Sequence, residues 1–216
     1  MRSLILASLA LLLAGASAAA QLDARLEARL DARTAADVQS HVDAAAAAGL
    51  PVEPLVLKAL EGASKGARGP QIAGAVARLH TQFVEARGAL GPRSAAGEIV
   101  AAASAMQAGA SAETLRQMRA ARRDAPLTTA LTVLADLIAY GVPVADASTL
   151  LIELVRAGAR DDQLTDARGS VQKGIGAGLS PAAAAQEALS GPPAALPVTP
   201  GAPAGSRPPV VRPPTP

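Results

Sequence analysis

Apolar residues along the chain recur at helical spacing and are interrupted at short intervals by glycine. Leu22, Leu26 and Leu30 stand four apart with Asp23, Arg25, Glu27, Arg29, Asp31 and Arg33 among them, which predicts an amphipathic first helix. Val38 and Val42 continue the pattern, while Thr34-Ala35-Ala36-Asp37 offers a place to end that helix and cap the next. Ala44 to Ala48 run into Gly49, a C-terminal stop. Pro51 suits the first position of the following helix, with Pro54 in its first turn, and that helix carries Leu55, Leu57 and Leu60. After a turn over Lys65 to Pro70, the positions Ile72, Val76, Leu79, Phe83, Ala86 and Leu90 keep a clean three-or-four spacing and predict a long helix broken by Gly91-Pro92.

The same grammar continues to residue 190. Ser94 to Gln107 reads as a helix with Ile99, Val100, Ala103 and Met106 inward, stopping before Gly109. Ser111 is a candidate N-cap for a helix carrying Leu115 and Met118. Asp124 and Pro126 restart the chain, and Leu127, Leu131, Leu134 and Ile138 line the next helix. Further helices are expected around Leu150 to Val155, Leu164 to Ile175 and Pro181 to Leu189, with Asp161-Asp162 opening the second of these and Ser180 capping the third. Glycines 49, 66, 91, 109, 141, 158 and 178 punctuate the series, and the Asp124-Ala125 turn divides the longest interval between them.

One short helix and a tight turn fit each interval, so a pair occupies about 34 residues, the scale of two-helix repeats. The chain resembles short-repeat helical scaffolds in this respect, without their sequence signatures. The fold class is therefore all-α, with short tandem helix-turn-helix units forming a solenoid-like array; an irregular helical bundle is the alternative. Composition favours the array. Phe83 and Tyr140 are the aromatic residues and alanine is abundant, so each helix offers a thin apolar stripe that packs only when backbones approach closely.

The two ends read differently. Met1-Arg2-Ser3 followed by an apolar run and Ala18-Ala19-Ala20 has the layout of a signal peptide over residues 1–20, with an uncleaved anchor as the rival, and implies a periplasmic or secreted protein. Residues 21–190 form the helical domain. Residues 191–216 hold ten prolines and, for charge, Arg207 and Arg212, and are expected to be an extended, disordered tail.

Candidate chemistry is sparse. There is no cysteine, which removes disulfides, thiolate nucleophiles and sulfur-ligated metals. Twenty basic against eighteen acidic residues give no reason to invoke nucleic acid. Asp37 and His41 stand one helical turn apart and His80 lies beside Leu79, but no multidentate metal motif is present, so no metal or cofactor is expected. Ser40 adjoins His41 without a nucleophile elbow. Glu53, Glu61, Glu85, Glu98, Glu113, Glu153 and Glu187 are dispersed, and a carboxylate pair would have to form in space. Arg116, Arg119 and Arg123 advance by three and four, placing them on one helical face with Arg122 beside them; this group is the candidate anion- or partner-binding site.

These features point to a secreted or periplasmic, non-catalytic helical scaffold or adaptor that binds a protein or an anionic envelope component. The alternatives are an envelope carbohydrate-active hydrolase using paired carboxylates and a purely structural envelope protein.

Overall fold

A helix that must reverse direction within a few residues needs a backbone conformation that side-chain-bearing L-residues avoid, and this chain meets that need repeatedly. The computed structural model describes residues 24–190; the expected signal peptide and proline-rich tail lie outside the described residues. Among the described residues the glycines with positive φ are Gly49, Gly66, Gly91, Gly109, Gly141, Gly158 and Gly178, the same seven that punctuate the sequence. At six of them, Gly91 excepted, the residue after the glycine returns its N–H to the carbonyl five residues back, as from Leu50 to Ala45 (2.8 Å) and Val142 to Leu137 (3.0 Å). That bond, with the glycine's own N–H on the carbonyl three back, closes the end of each helix. Leu50, Ala110, Val142 and Ala159, each next after such a glycine, are buried, so the turn that satisfies backbone groups also plants an apolar anchor.

The described residues are all-helical, with no strand. A helical turn over 24–27 leads into α1 (Ala32–Ala47), α2 (Glu53–Ser64), α3 (Gly69–Leu90), α4 (Ala96–Ala108) and α5 (Ala112–Ala121). Then follow α6 (Thr128–Ala139), α7 (Val144–Arg156), α8 (Asp161–Gly176) and α9 (Pro181–Ser190). None of the described helices is long and apolar enough to cross a membrane.

Two expected boundaries differ. The break after the first leucines falls at Asp31, whose carboxylate accepts from the Thr34 N–H (3.0 Å) and Thr34 hydroxyl (2.7 Å), three residues before the cap expected at Thr34–Asp37. The second helix starts at Glu53, leaving Pro51 in the turn because buried Leu50 closes the end of α1 first. Of the apolar residues that α2 carries, Leu55, Val56 and Ala59 are buried, whereas Leu57 is 51% exposed. The long helix keeps its expected face, with Ile72, Val76, Phe83, Ala86 and Leu90 buried.

The helix pairings follow chain order. α1 packs on α2 and α3; α3 packs on α2, α4 and α5; α6 packs on α4, α7 and α8; and α7 packs on α5 and α9, which also meets α8. α1 and α3, and likewise α6 and α8, run side by side in the same direction. A Cβ at Gly69 would sit 2.1 Å from Thr34 Oγ1, so the start of α3 rests on the start of α1, while near their ends Arg87 donates to the Gly49 carbonyl (2.9 Å). α6 and α8 are tied in the same register by Thr129 to Asp161 (2.8 Å) and Arg168 to Asp136 (2.6 Å).

Gly49 and Gly169 separate the conformational from the steric role of glycine, since an added Cβ meets nothing within 4 Å at either. Gly49 has φ 65° and Gly169 lies inside α8. Urea titration should show Gly49→Ala destabilised by about 1–2 kcal/mol, and Gly169→Ala stabilised by about 0.5–1 kcal/mol. Equal effects at the two positions would remove the turn argument.

Candidate functional site

The α5–α6 connection, Arg122 to Leu127, has no glycine, so its reversal needs another source of order. Glu98 supplies one. It sits in the first turn of α4, where an acid is favoured by the exposed N–H groups, and its Oε2 accepts from the Ala95 N–H (2.9 Å). Its Oε1 accepts from the Leu127 N–H at the entrance to α6 (2.9 Å) and from the Arg119 guanidinium. Glu98 is only 5% exposed. Burial by itself would push its carboxyl pKa up, but the Ala95 and Leu127 N–H groups and Arg119 together outweigh that and hold it below the ordinary glutamate range.

Arg119 and Arg122 complete the joint. Nη1 of Arg119 donates to the carbonyls of Arg122 (3.1 Å), Ala125 (3.2 Å) and, at longer range, Arg123 (3.5 Å). Arg122 reaches the Pro126 carbonyl (3.1 Å), the Ala159 carbonyl and the Asp161 carboxylate (3.3 Å), and so fastens this turn to the one before α8. Their side chains are 21% and 13% exposed. Planar guanidinium groups with several donors suit this use, because one side chain serves carbonyls that a glycine turn would satisfy through backbone bonds.

The four arginines singled out in the sequence therefore divide. α5 ends at Ala121, so Arg122 and Arg123 lie beyond the helix rather than along its face. Arg119 and Arg122 turn inward and hold the joint. Arg116, paired with Glu113 (3.4 Å), and Arg123, exposed, face an open groove of about 940 Å³. Its other wall is the α3–α4 connection from Gly91 to Ala95, which brings in Arg93. Arg93 and Arg123 form no ion pair among the described residues. With Glu98 neutralised by Arg119 and Arg116 paired to Glu113, the groove is left with Arg93 and Arg123 against Asp124. Sequence spacing could not reveal Arg93, since it is joined to the others only by packing between α3, α4 and α5.

The remaining candidates are scattered. Ser111 and Ser180 are caps, accepting from the Thr114 N–H (3.0 Å) and the Ala183 N–H (3.2 Å). Ser40 donates to the Asp37 carbonyl (2.8 Å) instead of engaging His41. His41 on α1 and His80 on α3 meet, their ring centroids 5.6 Å apart in an edge-on arrangement. No group of three or more His, Asp or Glu residues able to hold a metal occurs among the described residues.

The fold and groove define an all-helical protein with a cation-lined cleft beside a glycine-free joint. The chain matches no protein-family model, no curated protein and no solved structure.

Removing Glu98 leaves the Arg119 guanidinium and the Leu127 N–H without their buried acceptor, so Glu98→Ala should lower the unfolding free energy by on the order of 3 kcal/mol. Because the folded pKa is depressed, the carboxylate's contribution is present above the unfolded value of about 4.3 and is lost as pH falls towards the folded value. Urea midpoints measured through this acidic window should drop more steeply for the wild type than for Glu98→Gln; parallel curves would show that Glu98 carries no such linkage.

Proposed function

We propose that the protein is an exported, non-catalytic helical scaffold whose Arg93, Arg116 and Arg123 groove receives an acidic partner. The partner is an acidic protein segment or an anionic envelope component. The observation that carries this reading is the surplus of positive charge in the groove after Arg119 and Glu98 have paired. Two guanidinium groups without ion-pair partners among the described residues, on opposite walls, suit carboxylate or phosphate oxygens arriving from solvent.

A solenoid-like stack is the arrangement we favour for the scaffold. Every substantial helix pairing joins elements one or two apart in the chain, which supports growth along one axis more than closure of a bundle. The N-terminal layout of residues 1–20 supports export, and with it a partner outside the cytoplasm. Glu98 argues against the carboxylate-hydrolase alternative at this groove. It is ionised, buried and committed to three donors, whereas a general acid needs a raised pKa and a free proton.

The informative variant replaces Arg93, Arg116 and Arg123 together by Gln and leaves Arg119 and Arg122 in place. Retention of the mature chain on its own envelope fraction should fall roughly tenfold and become insensitive to salt. The thermal midpoint should stay close to that of the wild type. Unchanged retention would eliminate this groove as the contact.

A further inference from the structure

The chain has two histidines, and the fold places them against each other although 38 residues separate them in sequence. They come together because α1 and α3 pack side by side in the same direction. The contact of Gly69 with Thr34 fixes one end and the bond from Arg87 to Gly49 fixes the other. Both residues are half-buried, neither sealed in the core nor fully in solvent. Neither imidazole has a hydrogen-bond partner among the described residues.

We propose that His41 and His80 form a two-imidazole chelate for a divalent transition-metal ion, with water filling the other coordination positions. Zn–N bonds of about 2.0–2.1 Å put each ring centroid a little over 3 Å from the ion, so two imidazoles at a tetrahedral angle have centroids about 5.3 Å apart. The observed centroid separation of 5.6 Å is close to that value, and from the 63° edge-on contact the rings turn so that one nitrogen of each faces the ion. Asp37, one turn before His41 and exposed, adds negative charge near the approach without completing a three-residue ligand set. Imidazole ligands without thiolate favour Cu²⁺ over Ni²⁺ and Zn²⁺.

The site is independent of the arginine groove, and its test leaves that reading untouched. Untagged mature protein is titrated with Cu²⁺, Ni²⁺ or Zn²⁺ in competition with a chromophoric chelator. The expected result is one equivalent bound, Cu²⁺ tightest, with His41→Gln and His80→Gln each weakening binding by at least about tenfold. Saturating ion should raise the thermal midpoint of the wild type and not that of either variant, because the chelate spans two helices that separate on unfolding. NMR of the unmodified chain provides a readout that does not depend on the variants folding. Substoichiometric Cu²⁺ should broaden the His41 and His80 imidazole signals together. Binding of equal strength in both variants, or broadening of neither ring, would overturn the proposal and leave the pair as an edge-on packing contact.

Discussion

Short helices with alanine across much of their apolar surface can be stable here only by lying against neighbours close in the chain, and every such neighbour requires a reversal within a few residues. An isolated helix of this length is marginal in water, and alanine adds little apolar area per turn. The stabilisation has to come from repeated close approach. Ala45, Ala59, Ala86, Ala102, Ala105, Ala130 and Ala147 are all fully buried, so the helix axes come close where larger side chains would hold them apart. Phe83 is then the bulkiest side chain in an interior built mainly from leucine, valine and alanine.

Backbone chemistry supplies most of the reversals, and arginine supplies the rest. Where a glycine takes a positive φ, the helix-end carbonyls are satisfied by N–H groups of the turn itself. At the α5–α6 joint that device is missing, and Arg119 and Arg122 provide the donors from their side chains. Arg87 does similar work at a second joint, bonding the Pro92 carbonyl (3.4 Å) beside Gly91, the one positive-φ glycine lacking the five-residue return bond. Arg87, Arg119 and Arg122 thus have a structural explanation before any ligand is considered. The side chains that remain for a ligand are those, such as Arg93 and Arg123, that the joints do not use.

The fold was legible wherever the determining residues are local. The seven glycine stops could be located because only glycine takes the required φ without strain, and Ser111 because an N-cap acts three residues away. The phase of α2 was not legible. Leu55, Val56, Leu57 and Leu60 place apolar groups around more than one face, and packing against α3 decides which are covered. The site was less legible still. Arg119 reads as an exposed cation until Glu98, 21 residues earlier, is brought beneath it, and Arg122 until the Ala159 carbonyl, 37 residues later, comes within reach. Helical spacing carries no information about such partners.

The restriction of substantial helix pairings to first and second neighbours also shapes how the molecule comes apart. Each docking step closes a small loop and costs little chain entropy, so assembly has low contact order and can begin at any point along the polypeptide. Among the described residues α9 packs substantially on α7 and α8, whereas α3 is held by four other helices. Amide exchange should therefore be less protected in α9 than in α3, with α9 peeling away while the interior stays folded.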